Sequence, residues 1–352
     1  MYKAVFRCCA YEFEDVVCAV DEADLLQPRP SRSFAVGQKL ANRLARHISI
    51  NSLNPGIRRQ ELKGVYDLFF MKCLFPTDLL ALNSVTKWKQ RCGTSVCWLS
   101  EVWAGELHKW KGHLKILSKF DYILLNCSAS VQAVQEATQR PCFYIPPGVD
   151  TVLFCPYPNP PVRCIDVYYL GRRSRVTHQA LLRMAEQKRI FYMYDTIDKL
   201  ETSHPRQHRS LIANTAKRSH YFIANSGKID QKSETHGQKE IGFRFLEGAA
   251  AGTVMIGEHP DTKAFREHFD WPDAVIHVPF DAPDISEILA ELDAQPERLE
   301  QARKNNTVQS LLRHDWVYRW KAILDIVGLD PRPALLARQA HLKSLAKECN
   351  TI

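Results

Sequence analysis

The segment from Gln238 to Gly257, Gln-Lys-Glu-Ile-Gly-Phe-Arg-Phe-Leu-Glu-Gly-Ala-Ala-Ala-Gly-Thr-Val-Met-Ile-Gly, constrains the fold more than any other part of this chain. It reads as a polar loop, a short helix, a tight stop and a buried strand. Gly242 stands where the loop hands over to the helix. Phe243, Leu246, Ala250 and Ala251 recur at helical spacing, so one face is apolar. The small residues Gly248 to Ala251 let that helix lie close against a sheet. Gly252 is expected to end it with a positive φ. Thr253–Ile256 is a short, largely β-branched run suited to a buried parallel strand.

The charges on this helix point to chemistry. Arg244 falls in the first turn, where the helix dipole disfavours a cation by a few tenths to about 1 kcal/mol. A bound anion at the same helix end removes that penalty, and free N–H groups plus a guanidinium suit a pyrophosphate. Glu247, one turn further in, is placed to accept hydrogen bonds from ribose hydroxyls, as acidic residues do in dinucleotide folds. The competing reading is a surface ion pair between Arg244 and Glu247, which are three residues apart.

Glu240–Gly252 resembles the C-terminal-domain motif of retaining glycosyltransferases of the GT-B fold. There a Gly-containing loop and a glutamate-bearing helix hold the sugar nucleotide. The form Arg244-x-x-Glu247-x-x-Ala250-x-Gly252 is similar to the spore-maturation type within the group 1 enzymes. The resemblance implies donor-binding roles for Glu240, Gly242, Phe243 and Glu247. The commoner pattern carries its first glutamate where Lys239 stands here, with Glu240 one place on, so the resemblance supports Glu247 more firmly than Glu240.

At 352 residues, 45% apolar and 24% charged, the chain has the composition of a soluble protein of about two domains. Arg7, Glu12, Glu14 and Asp15 interrupt the start, so no signal peptide is expected, and no run reaches the roughly 18 apolar residues of a membrane span. Eleven scattered cysteines without a C-x-x-C pair argue for a reducing, cytoplasmic setting and against a disulfide or zinc framework. His204 and His208 lack the glutamate of a zincin motif. The formal charge is +8; residues 1–150 carry 19 Lys/Arg against 14 Asp/Glu, a net +5. Such an excess suits an anionic partner.

Strand-like and helix-like runs alternate along residues 1–150. Val16–Val20, Tyr66–Phe75, Ser95–Trp98, Asp121–Cys127 and Cys142–Ile145 read as strands. Phe34–Ile48, a helix capped by Thr77 or Asp78, Glu106–Phe120 and Ser128–Gln139 read as helices. His108, Lys111, Lys115 and Lys119 make a basic stripe on the third of these, fit for a membrane surface or for plain solvation. Proline-dense residues 146–162 read as a linker, and Pro147-Gly148-Val149-Asp150 with Phe154 and Pro156 is similar to the interdomain segment of the resembled family.

A second α/β series follows, including strands Ile165–Leu170, Ile190–Tyr194 and His220–Ala224. Gly171, Arg172 and Arg173 end the first of these, and paired arginines there can neutralise a diphosphate leaving group. The family's lysine beyond this turn is missing before Lys188; Arg175 and His178 are the nearby substitutes. Asp195 and Asn225 also follow strand ends. In the first half Glu101, in the loop Ser100–Gly105, is the candidate facing the acceptor.

The expectation is an α/β fold of two Rossmann-like domains facing across a cleft. The acceptor domain spans 1–150, the donor domain 151–315, and helices in 316–352 pack back on the first domain. The expected activity is transfer of a sugar from a nucleotide-diphosphate sugar to a glycan, lipid-linked or small-molecule acceptor, with retention implied by the resemblance. Arg172, Arg244 and Glu101 are the expected catalytic residues; Gly171, Arg173, Asn225, Glu240, Gly242, Phe243 and Glu247 are the expected donor ligands. Neither metal nor cofactor beyond the donor is expected, and peripheral contact with the inner membrane face is open. An epimerase or phosphorylase of the same fold is the alternative enzyme. A nucleic-acid or lipid module is the alternative binding protein, although no zinc finger, RNP-like motif or basic tail supports nucleic acid. G-x-G-x-x-G and Walker A loops are absent from the sequence.

Overall fold

The computed structural model describes residues 7–196, 202 and 204–351. Contacts divide the chain into two compact units, each with its own parallel sheet. Of the described residues, one unit holds 24–146 with 231–238; the other holds 7–23, 147–230 and those from Lys239 onward. This differs from the expected division in three places. Helix α1 (Cys8–Val20) groups with the second unit, the excursion 231–238 groups with the first, and residues beyond 316 stay in the second. The C-terminal helices do pack on the start of the chain, through α1, but α1 is itself part of their unit.

Val16–Val20, expected as a strand, is the second half of α1. Phe13, Val16, Val17 and Val20 lie at i, i+3, i+4 and i+7 and are all buried. That period becomes visible only when the window reaches back to Phe13.

The first unit carries β1 (Gln60–Glu61), β2 (Tyr66–Cys73), β3 (Val85–Thr86), β4 (Cys92–Leu99), β5 (Tyr122–Leu125) and β6 (Cys142–Tyr144). Its sheet runs β2-β4-β5-β6, all parallel, with β1 and β3 as a separate pair. Helices α2 (Phe34–His47), α3 (Lys111–Leu117) and α4 (Val131–Thr138) cover it. The helix expected over 106–120 begins as a 3-10 turn, Ala104–Trp110, and becomes α-helical only at Lys111. The segment after Phe75 is likewise 3-10 (Pro76–Ser84), and Asp78 accepts the Leu74 and Phe75 N–H groups at 3.0 and 3.1 Å.

Besides α1, the second unit carries a short helix, α5 (Thr151–Phe154), and the strands β7 (Ile165–Tyr169), β8 (Tyr192–Tyr194), β9 (Ser219–Ile223), β10 (Val254–Gly257) and β11 (Ile276–His277). All are parallel, in the order β11-β10-β9-β7-β8. Helices α6 (Arg175–Glu186) and α7 (Pro205–Lys217) follow β7 and β8; α8 (Lys232–Thr235) lies in the excursion; α9 (Phe243–Ala250) is the expected small-residue helix. Gly248 explains its closeness to the sheet, because a Cβ there would stand 2.8 Å from Met255 Sδ and 2.9 Å from the Phe222 ring. Gly252 takes φ +62° just past the end of α9, as expected.

Helices α10 (Lys263–His268), α11 (Ile285–Asp293), α12 (Pro296–Arg313), α13 (Trp316–Val327) and α14 (Pro333–Thr351) complete the unit. The Pro-Gly-Val-Asp segment has a packing reason. A Cβ on Gly148 would meet the Trp316 ring at 2.6 Å. Buried Asp315 accepts from Thr151 Oγ1 at 2.8 Å and from Arg338 at 2.7 Å, which ties α14 to the linker.

Candidate functional site

The strand order of the second unit decides where a ligand fits. The sheet grows from β7 in both directions, so the connections leaving β7 and β9 turn to opposite sides and open a crevice at the carboxyl ends. Gly171–Arg173 follow β7, Asp195 follows β8, Asn225 follows β9 and Glu258 follows β10. Gly171 has φ +86°, and its N–H donates to Asp195 Oδ1 at 3.0 Å. Asp195 also pairs with Arg173, whose guanidinium sits 5.5 Å over the Tyr194 ring. Arg172 is more exposed and pairs with Asp230 at 3.2 Å.

The loop before α9 lies against the turn after β9. The Gly227 N–H donates to the Glu240 carbonyl at 3.0 Å, and a Cβ on Gly242 would be 3.1 Å from the Asn225 carbonyl oxygen. The Asn225 side chain donates to Tyr169 Oη at 3.0 Å and accepts the Glu258 N–H at 2.8 Å. Gly257 permits that closeness, since a Cβ there would be 2.0 Å from the Ala224 carbonyl oxygen. Lys239, where the commoner family pattern has glutamate, pairs with Glu258 at 3.1 Å. Burial raises the Glu258 carboxyl, but the hydrogen bonds from Lys239 and the Phe280 N–H outweigh it and hold the pKa below the usual range.

Gly242 is the N-cap of α9, and Phe243, Arg244 and Glu247 lie within its first turns. Phe243 packs 6.3 Å from the Trp316 ring, centroid to centroid. Arg244 reaches the turn after β7: the position of a Cβ on Gly171 would lie 3.8 Å from its Nη2. The crevice thus gathers Arg172, Arg173 and Arg244 around one strand end.

Glu247 stands differently from the expectation of a carboxylate presented to ribose. Its side chain is fully buried, with Oε2 accepting from Arg244 and Oε1 from Arg209 on α7. Arg209 is buried too and donates through Nε to Glu12 of α1 at 2.6 Å. Glu12 then accepts from Trp316 Nε1 and from the Asp150 N–H, both at 2.8 Å. The chain of charges Glu12–Arg209–Glu247–Arg244 alternates in sign and is net neutral. Burial works to raise the Glu247 pKa, but the Arg244 and Arg209 guanidiniums overcome it and hold the carboxyl below its ordinary value. At Glu12 burial wins over Arg209, and the pKa rises. The ion pair between Arg244 and Glu247, the competing reading of these residues, is present, but its acid end is in the core, and Arg244, about 31% exposed, is its solvent-facing end.

Every expected donor ligand lies in the second unit around the ends of β7, β9 and the start of α9. Glu240 is buried there as well and lines the loop through its backbone. Glu101 lies in the first unit, after β4, and its N–H donates to the Leu74 carbonyl at 2.8 Å. His178, the nearby substitute for the family's lysine, places Nδ1 2.7 Å from Tyr192 Oη. Sequence reasoning missed Arg209 and Glu12, which lie 38 and 235 residues from Glu247 in the chain. Among the described residues no cluster of three or more His, Cys, Asp or Glu has the geometry of a metal site.

Residues 175–325 match a family model described as glycosyl transferase-like. No curated protein sequence matches the chain. Among solved structures, an α,α-trehalose-phosphate synthase (UDP-forming) from Burkholderia vietnamiensis is 11% identical, with 92% of this chain and 80% of that one covered and a TM-score of 0.51. Anabaena HepE, solved with UDP and glucose, is 12% identical over 74% of this chain and 78% of its own, TM-score 0.49. A glycosyltransferase from Rickettsia africae is 12% identical over 88% and 83%, TM-score 0.46. At such identities the likeness to the synthase is one of fold.

Proposed function

We propose, for a chain that carries a glycosyl transferase-like domain on a GT-B fold, that it moves a sugar from a nucleoside diphosphate donor to a hydroxyl acceptor. The acceptor class is a glycan, a lipid-linked glycan or a small molecule. The observation that carries the reading is the placement of Arg172 and Arg173 directly after β7, with the Arg244 guanidinium beside Gly171, at the point where the strand order reverses. The HepE structure with UDP and glucose fits the same donor class, as a statement about that protein.

In the proposed reaction the bond from the sugar C1 to the β-phosphate oxygen breaks, and its electron pair departs on the diphosphate. The acceptor oxygen bonds to C1 and its proton passes to the released diphosphate, which is the retaining course implied by the family motif. Negative charge grows on the leaving oxygen, so fixed guanidiniums there stabilise the transition state more than the ground state. Arg244 supplies this charge at a helix N-terminus. Glu247 and Arg209 are positioning residues that hold the Arg244 guanidinium in place from beneath. Glu101 is the proposed acceptor-orienting carboxylate. The arginines perform the charge neutralisation, with no cofactor beyond the donor.

The test screens UDP-, GDP-, ADP- and dTDP-sugars for thermal stabilisation and nucleoside diphosphate release. A donor at a hundredfold excess over Kd stabilises by about 2.7 kcal/mol. With that donor, Arg172, Arg173 and Arg244 are each changed to Lys and Ala. At least one Lys variant should lose about 10²–10³ in kcat, because it keeps the charge but not the bidentate fork. Near-normal kcat in all six variants would place the neutralisation elsewhere. Interconversion of the sugar nucleotide without diphosphate release would favour the epimerase.

A further inference from the structure

Leu25 to Gln60 contains seven Lys or Arg (Arg29, Arg32, Lys39, Arg43, Arg46, Arg58, Arg59) and no Asp or Glu, a charge of +7 against +8 for the whole chain. Helix α2 is the centre of this stretch, and its docking within the first unit fixes which face looks outward. Ala41 and Ala45 are fully buried. They lie against α3, where a Cβ on Gly112 would stand 2.2 Å from the Ala45 carbonyl oxygen. Asn42 Oδ1 is 3.0 Å from His113 Nε2 on the same side.

The opposite face repeats at helical spacing as Val36, Lys39, Leu40, Arg43 and His47, all exposed. Val36 is 73% and Leu40 49% exposed, and Ile48 and Ile50 just beyond the helix are 58% and 46% exposed. A purely solvated face needs cations but no aliphatics. Four large aliphatic side chains left in water beside an acid-free run of arginines call for a partner that is anionic on its surface and apolar just beneath.

We propose that this face of α2 docks on an anionic phospholipid bilayer. The helix lies in the interfacial plane, with Val36, Leu40, Ile48 and Ile50 in the boundary between headgroups and acyl chains and Lys39 and Arg43 on lipid phosphates. Nucleic acid fits less well, because single strands are gripped by aromatic stacking and the exposed large apolar residues of this segment are aliphatic. The stripe His108, Lys111, Lys115 and Lys119, considered for membrane contact from the sequence, is exposed but offers charge without apolar side chains, so it adds attraction rather than insertion. The inference does not rest on the transferase reading, since donor binding belongs to the second unit.

The test is flotation of the full chain with vesicles of phosphatidylcholine alone and with about one-quarter phosphatidylglycerol. Binding is expected only to the anionic vesicles and is released by high salt. Lys39→Ser with Arg43→Ser should weaken it roughly thirtyfold, about fivefold per cation. Val36→Ser with Leu40→Ser should weaken it about tenfold or more through lost apolar burial. Both pairs replace exposed side chains, so melting temperature and nucleotide binding should stay unchanged. Failure to float, equal flotation with neutral vesicles, or unchanged flotation of the Val36/Leu40 variant would each overturn the proposal. So would a gel shift of DNA at physiological salt by protein that ignores the vesicles.

Discussion

Replacing Arg209 with leucine removes the one guanidinium shared by two buried carboxylates. Glu12 and Glu247 have side-chain exposures of 4% and 0%, and Arg209 itself 3%. Glu247 keeps Arg244, while Glu12 is left with the neutral Trp316 and Asp150 N–H donors. Leaving a buried charge without its partner costs about 3–5 kcal/mol, a large fraction of a typical stability of about 5–15 kcal/mol. Leucine fills most of the apolar part of the side chain, so the loss reads mainly on charge. Urea unfolding of Arg209→Leu should therefore show that loss in the midpoint. Adding Glu12→Gln should restore part of it, because the second change removes the stranded acid. A loss below about 1 kcal/mol, the range of exposed pairs, would show that water screens the network and that α1 is not held by it.

Acid should weaken the fold through its buried histidines. Burial, with the nearby Arg46 charge, lowers the His113 pKa to about 4, and burial lowers that of His314 well below the usual value. The folded state stays neutral where the unfolded chain gains protons, so this stability is present above pH ~6.5 and is lost as pH falls towards about 4. Between pH 6.5 and 5 His113 alone accounts for about 1.5 kcal/mol, and His113→Gln should lose that much less than the parent in urea melts at the two pH values. An equal pH dependence in both proteins would refute the assignment. Gly148→Ala should cost about 1–3 kcal/mol by overpacking the Trp316 ring, read as a lowered melting temperature, and an unchanged value would show that the linker yields freely.

Much of the second unit was legible because its signals are local. The spacing of Leu246, Ala250 and Ala251, the stop at Gly252 and the β-branched strand all sit within one short window, and the structure keeps them in that order. The turn Gly171–Arg173 was legible for the same reason, as glycine and arginines directly after an apolar run. What escaped is not local. Glu12 and Arg209 are ordinary charged residues in sequence, and only tertiary packing brings them to Glu247. Glu247 was expected at a surface because a carboxylate in the first turns of a helix usually meets water, but Arg209 of α7 and Cys9 of α1 lie against its buried carboxylate. Val16–Val20 misled because five apolar or small residues in a row carry no period of their own. The excursion 231–238 is held in the first unit by Gln238, which donates to Ser130 Oγ at 3.0 Å, and by His236 at 2.7 Å from Glu106. No composition change marks that departure.

In the proposed function Arg244 binds the donor diphosphate at the end of β7. Calorimetric titration of the stabilising nucleoside diphosphate, and of its parent nucleoside, into the protein and into Arg244→Ala measures that contact. The variant should lose about 1.5–3 kcal/mol of diphosphate affinity, as for hydrogen bonds to a charged group, while nucleoside affinity is unchanged. Equal diphosphate affinity in a folded Arg244→Ala protein would contradict it.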